Sequence, residues 1–375
     1  MSIQNKENLL TSKSDVQNNK GALSLNRVFI ITVISLTLLG VLIGYFLYTT
    51  SGYQTPALTD DAELTPVPYG TLMFTASSDD VLGIYSFNLD VEGGTLKKFD
   101  TQGPIASTEF TDKFNPTTLY FSASTIYTAD QSDQGGLHSW DLSSSTIKYY
   151  KSVVGNMERD INFSPSTGLV AFSRLRESIA STTEPRQIDD YEVVIMDPAQ
   201  DVAVEIIQGG LYPRWSPTGK TLLYLTKDGL YTFDLSTLQG SKVIGPNELG
   251  VVVTPSTAMD VSVDGKQIVI TSQGSGGVTV FDVDSWSPLT LQVASTLEDP
   301  SKFYFNPVIS PDGAMYAVIV TDKVGDIFIN PRFEVRAMQY DAILFSESLD
   351  DFDPEKIYID DWIVGAIVFS EEGAV

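Results

Sequence analysis

The chain of 375 residues carries no cysteine, one histidine and a net charge of −25. Those facts exclude disulfides, Cys-ligated zinc, haem or iron–sulfur centres and every histidine-cluster metal site, and they argue against nucleic acid as a partner. With 42% hydrophobic residues, 19 Phe and 17 Tyr among the chain, there is ample material for the core of one or two domains.

Residues 1–27 are rich in Ser, Asn, Gln and Lys and read as a short disordered cytoplasmic tail. Val28 to Tyr48 (VFIITVISLTLLGVLIGYFLY) is uncharged and apolar all round. As a helix it is ~31 Å long, enough for a bilayer core of ~30 Å, with Tyr45 and Tyr48 at one interface. A buried core helix would be amphipathic, and a cleaved signal would have a shorter apolar run and a small-residue cleavage site. Lys6, Lys13, Lys20 and Arg27 precede the span, and the next basic residue is Lys97. The positive-inside rule therefore predicts a single-pass signal-anchor in the cell membrane, with the C-terminal part extracytoplasmic. Residues 49–68 are Thr-, Pro- and acid-rich and read as a linker stiffened by Pro56, Pro66 and Pro68.

From residue 69 onward one short pattern recurs: an apolar residue, Ser or Asn, commonly Pro, a turn, then a β-rich run. Its copies are FNPTTLYFSAS, FSPSTGLVAFS, WSPTGKTLLYLT, VSVDGKQIVITS and ISPDGAMYAVIV, with the polar residue at Asn115, Ser164, Ser216, Ser262 and Ser310. Pro presets the turn, and Gly168, Gly219, Gly265 and Gly313 supply the positive φ with which the next strand starts. A second run follows each: IYSFNL, LHSWDL, VVIMDP, LYTFDL, VTVFDV and the weaker AMQYDA. Their Asn88, Asp141, Asp197, Asp234, Asp282 and Asp341 suit the cap of a turn. Units of about 49 residues, each holding several antiparallel strands and no helix, bury their faces only against one another. Residues 69–375 therefore predict an all-β fold, a β-propeller of six blades, with seven as the alternative. The first unit lacks its turn-bearing first strand, and the C-terminal run KIYIDDWIVGAIVFSE is expected to supply it and close the ring.

The units WSPTGKTLLYLT…GLYTFDLST and ISPDGAMYAVIV resemble the WSPDGKxIAF…IYxxD repeat of TolB-like, PD40-repeat (WD40-like) propellers. The resemblance covers most of residues 69–375. It implies a binding platform, or a gate on a separate catalytic domain, and no such domain remains here.

Several candidate site residues fall on positions of the repeat. His138 aligns with Tyr85, Tyr231 and Thr279, an ordinary strand position, and no G-x-S-x-G elbow accompanies it. Trp140 aligns with Phe87, Phe233 and Phe281. Trp215 takes the place before the turn that Phe114, Phe163, Val261 and Ile309 occupy. Trp286 and Trp362 break the pattern, and Trp286 reads as a loop aromatic able to contact sugar. Asn88 to Gly94 imitates the start of a calcium loop but has Phe99 where the closing carboxylate belongs. The acidic stretch Leu349 to Trp362 reads as a solvated loop. Arg174, Arg176 and Arg186 lie in a long insertion suited to partner contact. No catalytic, cofactor-binding or metal residue is assigned. The expectation is a non-catalytic scaffold binding a protein partner. The alternatives are a carbohydrate- or ligand-binding sensor module and a carboxylate-based polysaccharide hydrolase or lyase.

Overall fold

The computed structural model describes residues 68–364, apart from 79–80, 92–93, 95, 99–104, 129–130, 145, 152–155, 177–185, 250–251, 273–276, 326, 340–341 and 354–356. The chain divides into two compact units, Met1–Leu64 and Thr65–Val375. The tail, the apolar span 28–48, nearly all of the linker and residues 365–375 lie outside the described residues. No helix among the described residues is long and apolar enough to cross a membrane.

Among the described residues, twenty-four strands form six four-stranded antiparallel sheets. Blade 1 contains β1 (Thr71–Ser78), β2 (Val81–Asn88) and β3 (Leu96–Lys98). Blade 2 follows as β4 (Ile105–Phe110), β5 (Thr118–Thr128), β6 (Gln131–Asp141) and β7 (Thr146–Tyr149). Blade 3 is β8 (Asn156–Phe163), β9 (Val170–Leu175), β10 (Tyr191–Asp197) and β11 (Val202–Gln208). Blade 4 is β12 (Leu211–Trp215), β13 (Thr221–Thr226), β14 (Gly229–Asp234) and β15 (Gln239–Ile244). Blade 5 is β16 (Ala258–Val261), β17 (Gln267–Ser272), β18 (Gly277–Trp286) and β19 (Leu289–Glu298). Blade 6 is β20 (Lys302–Ile309), β21 (Met315–Val324), β22 (Ile327–Ala337) and β23 (Ile343–Ser348). The last strand, β24 (Ile357–Ile363), pairs with β1 and completes blade 1.

The six inner strands β24, β4, β8, β12, β16 and β20 touch in cyclic order and enclose an axial channel. Six blades, not seven, close the ring. Each seam between blades holds its own apolar cluster, for example Met73, Phe110, Phe121 and Ile363 between blades 1 and 2. Phe74, Phe87, Phe333 and Trp362 fill the seam between blades 6 and 1. The middle strands β10, β13 and β21 are buried on both faces, which is why they read as unbroken Leu, Val and Ile runs. The outer strand β11 alternates and exposes Val202, Val204 and Ile206.

The repeat motif is the turn from the inner strand to the second strand. Gly168, Gly219, Gly265 and Gly313 have φ of 72, 65, 69 and 74°. These turns also stack around the ring: a Cβ on Gly265 would overlap Cγ of Pro217 in the preceding blade's turn. The second motif caps as its residues imply. Asp234 accepts from the Ser236 and Thr237 amides at 2.8 and 3.0 Å, and Asp141 and Asp197 do likewise.

Two assignments of the repeat need correction. In blade 2 the residue in the serine register is Thr111, whose amide bonds the Thr118 carbonyl at 3.0 Å, and not Asn115. The FNP triplet imitates the motif inside a longer turn, so Phe110 and not Phe114 ends the inner strand. In blade 5 the chain makes no turn at Asp282. β18 runs on to Trp286 and turns at Ser287-Pro288, which is a cis peptide.

Candidate functional site: the axial channel

The register fixes which residues take equivalent positions around the channel. Trp362, Phe110, Phe163, Trp215, Val261 and Ile309 pair with Leu72, Leu119, Val170, Leu222, Ile268 and Tyr316, one in each blade. The residues just before them, Asp361, Glu109, Asn162, Arg214, Asp260 and Val308, form one ring. Three of these staple the next blade. Asp361 accepts from the Phe110 amide at 3.1 Å, Asn162 from Trp215 at 2.8 Å and Asp260 from Ile309 at 2.8 Å.

The rest of the ring is ionic. Arg214 Nε donates to Asp260 Oδ1 at 3.2 Å. Lys113, carried by the blade 2 turn, lies 3.1 Å from Asp361 and 3.8 Å from Asp260. Asp361 and Asp260 are buried, at 0% and 3% exposure. Burial alone would lower the Lys113 pKa, but the Asp260 and Asp361 charges outweigh it and hold the ammonium charged. Glu109, which accepts from Asn162 Nδ2 at 3.0 Å, is pushed well above the usual carboxyl range by burial and then by the Asp361 charge. Two cations thus balance two carboxylates, and the third carboxyl stays neutral, as the cost of burying an unpaired charge requires.

Arg214 lines cavities on both sides of this ring. The one on the turn side, about 330 Å³, is walled by Phe110, Phe114, Phe163, Trp215, Pro165, Pro217, Val261 and Val263. The other, about 180 Å³, is an inner chamber lined by Thr108, Arg159, Asp160, Tyr212, Asn306, Tyr358 and Asp360 among others. Here the inner strands of five blades slip register against their neighbours, and only β16 runs true. Asp160, Tyr212 and Asn306 share one ring position and have φ of 55, 53 and 45°. Asp and Asn tolerate this region, whereas for Tyr212 it costs about 1–2 kcal/mol.

Bonds across blades hold that strain. The Tyr212 amide donates to Ser173 Oγ at 3.0 Å, and its hydroxyl accepts from Arg159 Nη2 at 2.6 Å and donates to Asn306 Oδ1 at 3.4 Å. Arg159 is otherwise spent on Asp160 and the Pro255 carbonyl. Asp360 is bonded by the Thr75 hydroxyl, but burial outweighs that bond and pushes its pKa up to about 8. The chamber therefore offers a neutral acid, a phenol and an amide around a small polar space.

The aromatic candidates are packing residues. His138 is buried, bonded through Nδ1 to the Gly136 carbonyl at 2.8 Å and stacked on Phe121, and burial lowers its pKa. Trp140 takes its repeat position opposite Leu119. Trp286 is no exposed sugar platform: its indole donates to the Gly265 carbonyl at 2.8 Å and its ring packs on a core cluster. Trp362 does not break the pattern. It is the counterpart of Trp215, misplaced only because blade 1 takes its inner strand from the far end of the chain.

The polar candidates divide. Asn88 caps its own turn and Asp90 accepts from the Gly70 amide at 3.0 Å, so the calcium-like stretch is spent on backbone. The acidic stretch from Leu349 is only partly a loop, since its Asp360 and Asp361 point into the channel. Arg174 is tied to Glu192 at 2.7 Å, and residues 177–185 of its insertion lie outside the described residues. Among the described residues no group of three or more His, Asp or Glu side chains is placed to hold a metal. Sequence reading missed Lys113, Arg159, Tyr212, Arg214 and Asp260. The available signal was the residue before each turn motif, read as a column.

No protein-family model and no curated protein matches the chain. Solved structures do. A hypothetical selenium-binding protein from Sulfolobus tokodaii shares 12% identity, with 78% of this chain and 81% of that one covered and a TM-score of 0.50. A putative TolB from Agrobacterium tumefaciens shares 13%, covering 75% and 90%, with a TM-score of 0.46. The Cps50 (Swd1) β-propeller domain of Myceliophteria thermophila shares 12%, covering 75% and 86%, with a TM-score of 0.46. At such identities the likeness concerns fold alone. The chain's own strand pairing establishes a six-bladed β-propeller.

Proposed function

We propose that this chain is a single-pass membrane protein, anchored through residues 28–48 with its N-terminus in the cytoplasm, and that its extracytoplasmic propeller is a non-catalytic platform for a protein partner. The turn-side mouth of the channel carries this reading. Phe114 and Val263 stand 55% and 42% exposed there, beside Pro165, Pro217 and Trp215, above a charged floor. Aromatic and apolar anchors around a desolvated polar centre are the makings of an interface hot spot. The test is cross-linking and co-purification of the full-length chain from its native membrane. A defined partner should accompany the wild type and fall about tenfold or more with Phe114→Asp. Val293→Asp, on the outer strand β19, should leave capture intact. Equal capture by both variants contradicts the reading.

A second reading, a small-ligand or carbohydrate-binding module, is favoured by one observation: the strained Tyr212 and the neutral Asp360 line the same inner chamber. A glycan array probed with the full-length chain separates the two, since this reading requires binding that Tyr212→Phe abolishes.

A further inference from the structure

The blade 2 turn is longer than its counterparts. Its closing bond spans seven residues, Thr111 to Thr118, where those of blades 3 to 6 span five, as from Ser216 to Thr221. The two extra residues carry Lys113 over the pore. Its side chain is 14% exposed and reaches Asp361 of blade 1 and Asp260 of blade 5, the blade diametrically opposite. Its carbonyl also accepts from the Val364 amide at 2.7 Å.

Without Lys113, two buried carboxylates would face Arg214 alone, and one negative charge would stand uncompensated. The site thus takes one positive charge. The two oxygens belong to different residues on different blades, an arrangement suited to a compact ammonium and not to the planar fork of a guanidinium. Beside it the cavity of about 330 Å³ is walled by Phe110, Phe163, Trp215 and Pro217, a match for an alkyl stem.

We propose that the mouth is an ammonium site which Lys113 fills in cis, and that the partner displaces it with a lysine side chain of its own. The second half of this rests on the reading of the mouth as a docking surface.

The test uses the full-length chain in detergent. In Lys113→Ala, n-butylammonium should raise the thermal midpoint by about 2 °C or more, and n-butanol should not. Lys113→Ala/Asp361→Asn, with its charge rebalanced, should melt above the single variant and lose the response to the amine. No shift, or an equal shift with butanol, overturns the site. Should the alanine variant fail to fold, Lys113→Met keeps the stem and removes the tethered competitor. Gly-Gly-Lys-Gly-Gly should then bind at least about tenfold tighter than to the wild type, read from Trp215 fluorescence. Unchanged affinity, or equal binding of the norleucine peptide, also overturns the site. Peptide binding no tighter than that of butylammonium overturns a partner's lysine as the source. Amine rescue together with capture that persists in Phe114→Asp would sink the docking reading and leave the ammonium site standing.

Discussion

Asp360 shows how one side chain makes the channel sensitive to pH. In the folded chain its carboxyl stays protonated up to about pH 8, whereas unfolded it ionises near 4. Between those values the native state holds the extra proton. The group's contribution to stability is therefore complete below about pH 4 and is lost as pH rises toward 8. Asp360→Asn removes this term. Its stability relative to the wild type should climb with pH by up to about 1.4 kcal/mol per unit across that window. Urea midpoints at pH 5, 6, 7 and 8 measure it, and parallel profiles would mean that Asp360 is ionised. Gly265 offers a steric counterpart. Alanine there meets both a left-handed backbone and Pro217 of the neighbouring turn, and should cost about 2–5 kcal/mol. At Gly168, where no atom lies within 4 Å of the added Cβ, only the backbone cost of about 1–2 kcal/mol remains. Equal losses at the two sites would show that the turns do not pack on one another.

At the scale of the element, β24 decides whether the ring is closed. It buries Ile357, Ile359, Trp362 and Ile363, and the Trp362 indole donates to the Tyr69 carbonyl at 2.8 Å. Ending the chain before Asp361 removes, besides the buried Asp361, two fully buried apolar side chains worth ~1.5–3 kcal/mol each, and should cost about 3–6 kcal/mol from those two alone. A thermal midpoint unchanged by the truncation would leave β24 a dispensable tail. That a C-terminal strand completes blade 1 was legible in the sequence, because the first repeat lacked its turn and Pro, Asp and Gly mark turns for backbone reasons alone. The number of blades followed from the spacing of the repeats. Blade 2 slipped because Phe114-Asn115-Pro116 satisfies the motif without sitting in its register. The channel was not legible. Its ring draws one residue from each blade, as Asp, Glu, Asn, Arg, Asp and Val, so no common residue type marks the column, and what unites them is position across a closed ring. Nor does sequence reveal that Tyr212 sits at positive φ, since tertiary bonds to Ser173, Arg159 and Asn306 impose it.

For the whole molecule, charge and hydropathy set the expectation of topology. Four basic and two acidic residues precede position 28, and 19 basic face 46 acidic beyond it. Protease added to intact cells or spheroplasts should digest the C-terminal unit and spare the first 27 residues, and protection of the C-terminal unit would reverse the orientation. The proposed role asks something further, that the turn-side mouth and not the outer rim meets the partner. Site-specific photo-cross-linking in the native membrane tests this most directly, with a photoreactive phenylalanine analogue placed at Phe114 in one strain and at Ile343, exposed on the outer strand of blade 6, in another. The account predicts a discrete cross-linked adduct from position 114 and none from 343. An adduct from 343 alone, or of equal yield from both, would contradict it.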